Sequence, residues 1–167
     1  QAIRRGLAAD GGLYIDDDLG SRTLDASTMV GASYQRIAAT VLAALLPDFS
    51  AAELDECVGQ AYGPQWADAA VTPLKPLGDD YMLELFNGPT SAFKDVALQM
   101  LPRLMARTAG TPDERAEKIM ILTATSGDTG KAALAGFAGV GGTGITVFYP
   151  EGKVSAVQRL QMTTQQG

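Results

Sequence analysis

The sequence predicts an α/β protein in which a mostly helical N-terminal region is followed by βα units with parallel strands. Amphipathic helical patterns fill the first part of the chain. Beyond residue 76, short strand-like runs alternate with helical segments, which is the order expected of parallel α/β architecture. Hydrophobic residues make up 46% of the chain and charged residues 19%, so it can build a substantial globular core.

Two helices are predicted in the N-terminal region. From Tyr34 onward, apolar residues recur at helical spacing until Pro47 ends the pattern. Ser50 and Glu53 form a capping-box pattern that opens the second helix. Its inward face consists of Leu54, Cys57, Val58 and Ala61. Cys57 is therefore predicted to be a core residue rather than a reactive thiol, because its neighbours are apolar.

The remaining elements follow from local patterns. Residues 64–76 are predicted to be a linker, and residues 111–113 a turn. We expect strands over 81–86, 118–122 and 144–149, and helices over 91–108, 129–138 and 154–161. Pro102 should kink its helix or end it early. These patterns alone favour a single sheet that contains all three strands.

Composition excludes several classes of function. A net charge of −6 argues against a nucleic-acid partner. No apolar run approaches the roughly 20 residues that a bilayer requires, so we expect no membrane partner. The single cysteine cannot form an internal disulfide and fits a reducing compartment, which predicts a cytoplasmic protein. The sequence contains no histidine, so we expect no metal site and no histidine general base.

Lys94 lies in an unusual position. The predicted strand breaks at Asn87, and the chain then restarts as a helix with Lys94 in its first turn. Helix N-termini favour anions, which suits Asp95 and disfavours a lysine that keeps its proton. Such a position would help an amine that must act as a nucleophile. A solvated lysine on an amphipathic helix is the alternative interpretation.

A polar turn, Thr123 to Gly130, is the second candidate site. It follows a predicted strand and opens a helix, so its backbone N–H groups and hydroxyls could bind an anion. The alternative is a capped turn with Ser126 or Asp128 as the N-cap. Ligands of parallel α/β sheets bind beyond the carboxyl ends of strands. Because Lys94 also follows a predicted strand, both loops could face one crevice.

Two segments resemble nucleotide-binding motifs, but neither meets the requirements of its motif. The run from Gly127 to Lys131 lacks the glycine and the hydroxyl that a phosphate loop requires, because Thr125 and Ala132 stand in those places. Residues 139–144 match GxGxxG, but they follow a helix and precede a strand, which reverses the dinucleotide-binding order. We therefore predict neither type of nucleotide site.

Four segments together resemble the threonine synthases, which belong to the fold type II pyridoxal-phosphate enzymes related to the tryptophan synthase β-subunit. These segments, in chain order, are 6–14, 86–95, 124–130 and 149–163. The second reads Phe-Asn-Gly-Pro-Thr-Ser-Ala-Phe-Lys-Asp and is similar to the cofactor-attachment run of that family. The third reads Ala-Thr-Ser-Gly-Asp-Thr-Gly and is similar to its substrate loop.

The resemblance implies a reaction, a cofactor and site residues. The reaction would convert O-phospho-L-homoserine and water to L-threonine and phosphate by γ-elimination and β-addition of water. Lys94 would hold pyridoxal 5′-phosphate and then move protons at the α and β carbons of the substrate. The substrate carboxylate would bind to the loop formed by Thr125, Ser126, Gly127, Asp128 and Thr129.

Asp128 differs from the residue that many relatives in the wider fold type have at this position. The resemblance implies that it also contacts the 3′ oxygen of the cofactor, where many relatives have asparagine. A carboxylate beside an anionic substrate needs a compensating donor or a proton.

The resemblance also implies a division into three regions. Residues 1–75 would form the N-terminal region, 76–110 the start of a large cofactor-binding domain, and 111–167 the start of a small, truncated domain that closes over the substrate. The loop that binds the cofactor phosphate would then lie beyond Gly167, and the chain alone should bind the cofactor poorly. A serine/threonine dehydratase of the same fold type and a non-catalytic α/β ligand-binding module are the alternatives.

Overall fold

The computed structural model describes residues 2–108 and 118–167; the predicted turn at 111–113 lies outside these ranges. Within them, no helix is both long enough and apolar enough to cross a membrane. The helices are α1 (Ala2–Arg5), α2 (Tyr34–Leu45), α3 (Ala51–Ala61), α4 (Asp95–Leu98), α5 (Leu101–Arg107), α6 (Asp128–Phe137) and α7 (Ala156–Thr163). The strands are β1 (Leu74–Leu77), β2 (Asp80–Leu83), β3 (Ile119–Ala124) and β4 (Thr143–Phe148). Two short 3₁₀ helices, Leu19–Ser21 and Ala26–Met29, lie between α1 and α2.

The two N-terminal helices form as the sequence predicts. The Ser50 hydroxyl accepts a hydrogen bond from the N–H of Glu53 (3.3 Å), and the Glu53 carboxylate accepts one from the N–H of Ser50 (2.9 Å). This completes the capping box of α3. The four predicted inward residues of α3 are all buried, including Cys57. Burial raises the pKa of the Cys57 thiol, which agrees with a core role.

The predicted linker at 64–76 is corrected by the structure. Trp66 and Val71 are buried in the same core as α3, and the Trp66 indole N–H donates to the carbonyl of Ala61 (2.8 Å). The segment ends in β1 rather than in coil. The prolines of this segment suggest a flexible linker, but the burial of Trp66 and Val71 fixes it against the core.

The prediction of a single sheet is wrong. Strands β1 and β2 form an antiparallel pair with Leu74 opposite Leu83, whereas β3 and β4 form a separate parallel pair with Ile119 opposite Thr143. Only two residues join β1 to β2, and Gly78 takes a positive φ of 62° there. Such a short connection gives a hairpin and cannot give a parallel crossover. The sheets are separate, as the resemblance suggests, but the proposed domain boundaries stay a prediction.

The predicted helix over 91–108 is divided in two. Helix α4 spans only Asp95–Leu98, and α5 begins at Leu101. Pro102 is the second residue of α5, where its missing N–H leaves no intrahelical hydrogen bond unmade. The prediction that Pro102 interrupts the helix is therefore confirmed, and the interruption lies immediately before it.

Candidate active site

Asp95 organises the loop that carries the candidate lysine. Its side chain is fully buried. It accepts hydrogen bonds from the Thr90 N–H (2.8 Å), the Thr90 hydroxyl (2.7 Å) and, at a longer 3.4 Å, the Ala92 N–H. Gly88 packs against the same side chain, and a Cβ there would lie 2.5 Å from the Asp95 Cβ. The carboxylate therefore fixes the path of the chain from Gly88 to Lys94.

Lys94 immediately precedes α4 instead of lying within the first turn of a long helix. It occupies the N-cap position with φ −66° and ψ −19°. Because α4 has only four residues, its dipole is smaller than that of the long helix predicted over 91–108. The side chain is half-buried, and its Nζ lies 4.9 Å from the centre of the Phe93 ring. This contact is a cation–π interaction at the edge of an apolar surface.

One cavity connects the lysine to the polar turn. Its volume is about 540 Å³. It is lined by Leu85, Phe93, Lys94, Val96, Ala97, Leu98 and Thr129. Apart from the Lys94 amine and the Thr129 hydroxyl, the side chains of this wall are apolar. The structure thus brings Lys94 and one of the predicted loop residues to the same cavity.

The polar turn is capped in a way that the sequence does not reveal. The Thr125 hydroxyl oxygen accepts hydrogen bonds from the N–H groups of Gly127 (3.0 Å) and Gly130 (3.1 Å). Gly127 is the N-cap of α6, with a φ of 142°. The alternative interpretation, with Ser126 or Asp128 as the N-cap, is therefore not what the structure shows, because Gly127 is the N-cap and Thr125 accepts the hydrogen bonds.

The predicted loop residues separate into two groups. Thr125 and Gly127 build the turn, whereas Ser126 and Asp128 are exposed and Thr129 faces the cavity. Within the described residues, the N–H groups of Asp128 and Thr129 make no hydrogen bond. They lie in the first turn of a ten-residue helix, where donors and dipole both favour an anion. An anionic ligand can therefore bind next to Lys94.

Asp128 is held by two donors. The side-chain amide of Gln158 donates to its Oδ1 (2.8 Å), and the Nζ of the buried Lys131 lies 3.1 Å from the same oxygen. The Gln158 hydrogen bond, followed by the Lys131 hydrogen bond and the charges of Lys131 and Lys94, lowers the pKa of Asp128. The compensating donors that a carboxylate requires here are thus supplied by the chain itself.

A close backbone contact sets the distance between α4 and α6. A Cβ on Gly136 would overlap the carbonyl oxygen of Leu98, so only glycine permits this approach. The Arg103 guanidinium donates to the carbonyls of Gln99 (2.6 Å) and Gly136 (3.1 Å). Lys94 and Thr129 lie at the N-terminal ends of these two helices, so this contact helps to fix their separation.

Comparisons with known proteins agree with the geometry. Residues 1–62 match the family profile described as "Threonine synthase N terminus". Threonine synthase of Pseudomonas aeruginosa is 42% identical over 162 residues, covering 95% of this chain and 34% of that protein. The Schizosaccharomyces pombe threonine synthase is 38% identical over 175 residues, covering 98% of this chain and 34% of that protein.

A solved structure shows the same relationship in three dimensions. The PLP-bound threonine synthase of Brucella melitensis superimposes with a TM-score of 0.85 at 40% identity, over 96% of this chain and 34% of that one. The chain spans about a third of the length of the curated relatives it matches. By sequence and by fold, nearly the whole of this chain is therefore similar to about a third of the threonine synthases, and its first 62 residues match the profile of their N-terminus.

Proposed function

We propose that the chain supplies the lysine and part of the substrate loop of a pyridoxal-phosphate-dependent threonine synthase. Such an enzyme converts O-phospho-L-homoserine and water to L-threonine and phosphate, and is a carbon–oxygen lyase. The observation that carries the proposal is the shared cavity, in which the amine of Lys94 meets Thr129 at the N-terminus of α6. The similarity of the chain to threonine synthases over 95% or more of its length supports the assignment.

The residues present fit the cofactor. Pyridoxal phosphate attaches through a primary amine, and Lys94 is the amine that lines this cavity. The apolar walls, including Leu85, Phe93 and Val96, suit a flat ring. The bound cofactor would act as an electron sink for a carbanion next to the amino group.

Each residue then has a defined task. Lys94 would hold the cofactor through its amine and would carry protons at the α and β carbons of the substrate. The N–H groups of Asp128 and Thr129 in the first turn of α6 bind the substrate carboxylate, together with the hydroxyls of Ser126 and Thr129. Thr125 and Gly127 shape the turn that presents these donors. Asp95 keeps the lysine loop in place and does not line the cavity.

We also infer that the protein works in the cytoplasm on a small-molecule substrate. The single cysteine is buried and forms no disulfide, which fits a reducing compartment. The net charge of −6 gives no basic surface for nucleic acid.

Borohydride reduction tests the proposed function directly. The full-length protein that carries this segment is incubated with pyridoxal phosphate, reduced and mapped by peptide mass spectrometry. The expected result is a pyridoxyl adduct on Lys94 that is absent from Lys94→Ala and present in Lys153→Ala, a matched change at an exposed lysine. An adduct elsewhere, or none, overturns the cofactor assignment.

Substrate comparison tests the reaction. Turnover of O-phosphohomoserine, with much slower or no turnover of serine and threonine, is expected of a threonine synthase. The reverse order would identify a dehydratase. No turnover of any of the three, together with no adduct on Lys94, would identify a non-catalytic binding module.

A further inference from the structure

Gln158 contacts the candidate site from a distant part of the chain. It lies in the first turn of α7, yet its side-chain amide donates to Oδ1 of Asp128 (2.8 Å) across 30 residues of sequence. Its Oε1 accepts the N–H of Ser155 (3.1 Å), and its own N–H donates to the Ser155 hydroxyl (3.2 Å). The capping box of α7 thus holds Oε1 of the Gln158 amide, while Nε2 of the same amide donates to Asp128.

The same side chain packs directly on the turn before α6. A Cβ on Gly127 would lie 2.5 Å from the Cδ of Gln158. Gly127 also has a φ of 142°, which L side chains rarely adopt. Gln158 therefore contacts the turn through both packing and hydrogen bonding.

The two donors to Asp128 converge on one oxygen. Gln158 and Lys131 both approach Oδ1, and Oδ2 has no hydrogen bond within residues 2–108 and 118–167. We propose that Gln158 is a positioning residue of the site, which holds Oδ1 of Asp128 so that Oδ2 accepts a hydrogen bond from the bound ligand. This inference rests on the proposed function for the identity of that ligand, but the Gln158–Asp128 hydrogen bond does not.

Several charged and polar groups around Asp128 set its pKa. Lys131 approaches it from α6, and Lys94 adds a more distant positive charge from the start of α4. Gln158 is the neutral donor, and its hydrogen bond is the largest cause of the lowered pKa of Asp128. Removal of that donor should therefore raise the pKa while both lysines stay in place.

Gln158→Glu removes the donor and also places a second carboxylate beside Asp128, and both changes raise the pKa of Asp128. A glutamate keeps the length of the side chain and an oxygen for the N–H of Ser155, but it cannot donate to Asp128 when ionised. Gln165→Glu is the control, because it adds the same charge beside the glycine-rich connector at the opposite end of the strands. Carboxyl ¹³C NMR, with Asp128→Asn for assignment, should show a higher Asp128 titration midpoint in Gln158→Glu only. An unchanged midpoint, or an equal rise in both variants, overturns the proposal.

A second measurement needs no change at Gln158. In the wild-type chain, the side-chain amide signals of Gln158 should titrate with the midpoint of Asp128, and this titration should vanish in Asp128→Asn. Amide signals that do not follow Asp128 would overturn the proposal even if Gln158→Glu failed to fold. Neither NMR experiment uses pyridoxal phosphate, so their result is separate from that of borohydride reduction.

Cofactor affinity tests the role of Oδ2. In the full-length protein, Gln158→Glu should weaken the binding of pyridoxal phosphate about fivefold, as expected for loss of one hydrogen bond to an exposed charged group. Gln165→Glu should bind like the wild type. If wild-type Lys94 forms its adduct but the two variants bind equally, Oδ2 is not the ligand's acceptor and the proposal fails.

Discussion

Asp95 is a buried carboxylate that is held by hydrogen bonds from its own loop. The donors come from Thr90 and Ala92, in the loop that it stabilises. A buried carboxylate that loses such donors is costly, and so are buried donors that lose their carboxylate. The conformation of the lysine loop therefore depends on the residue next to the lysine.

Asp95→Ala should destabilise the chain by about 2–5 kcal/mol, because it leaves the buried Thr90 donors without an acceptor. Urea denaturation followed by circular dichroism measures the change. Asp17→Ala, at an exposed aspartate of the N-terminal loop, should change stability by no more than about 0.5 kcal/mol. A loss below about 1 kcal/mol in Asp95→Ala would show that the loop does not need this carboxylate.

Asp128 gives the chain a defined acid sensitivity. Its pKa in the folded state is lowered from an ordinary value of 3.8, so the ionised form adds stability above about pH 4. That contribution is lost as the pH falls through the folded-state value. Asp128→Asn should lose less stability than the wild type between pH 5 and pH 3, measured by urea denaturation. Equal losses in the two proteins would contradict the lowered pKa.

The sequence alone identified the Lys94 loop and the polar turn, but not the side-chain contacts that fix their conformations. Lys94 and the residues from Thr125 to Thr129 stand out because their motifs are contiguous. Gln158 reaches Asp128 from 30 positions away, and no local pattern encodes that contact. Asp95 was missed for a different reason. An acidic residue is common at the start of a helix, so its sequence position gave no sign that the side chain is buried.

At the scale of elements, the junction of α4, α5 and α6 is set by main-chain atoms. Gly136 allows α6 to approach the Leu98 carbonyl, and Arg103 ties both sides together. Side chains can repack after a substitution, but a backbone contact can relax only by moving a helix. The cavity between Lys94 and Thr129 thus depends on a residue that does not line it.

Gly136→Ala should destabilise the chain by about 1–3 kcal/mol, because the added methyl group would overlap the Leu98 carbonyl. Thermal or urea denaturation measures this loss. Gly141→Ala is the matched control, since a Cβ there meets no atom within 4 Å. It should leave stability unchanged or slightly higher. Equal behaviour of the two variants would mean that the helices tolerate the extra methyl group.

Helices and strands formed by residues close together in the sequence were predicted better than those that depend on distant contacts. Helix α3 was predicted well, because its capping box and its apolar face are encoded within a dozen residues. The β1–β2 hairpin was missed, because its first strand contains Pro76 and was read as part of a linker. The split between α4 and α5 was partly visible, since Pro102 marks it.

At the scale of the whole molecule, the β3–β4 pair presents an uncovered apolar face. Met120, Leu122 and Phe148 point to the same side, and Leu122 is 69% exposed. Contiguous exposed apolar surface of this kind marks a contact area in many proteins.

The chain alone should form a reducible adduct with pyridoxal phosphate in much less than stoichiometric amount. Lys94 and its apolar wall are present, but the glycine-rich connector at residues 139–144 lies at the amino end of β4, away from the lysine. Among residues 2–108 and 118–167, no glycine-rich loop lines the cavity, so the cofactor phosphate has few donors there. Quantitative mass spectrometry after borohydride reduction measures the yield. A stoichiometric adduct on Lys94 would refute this prediction.

The contact between Gly88 and Asp95 also has an evolutionary consequence. A larger residue at either position would push the other away, and a change at Asp95 would also strand the donors of Thr90. Single substitutions in this segment should therefore be removed by selection even when they leave Lys94 untouched. The eight codons from Gly88 to Asp95 are therefore expected to diverge more slowly than those of the exposed loops around them.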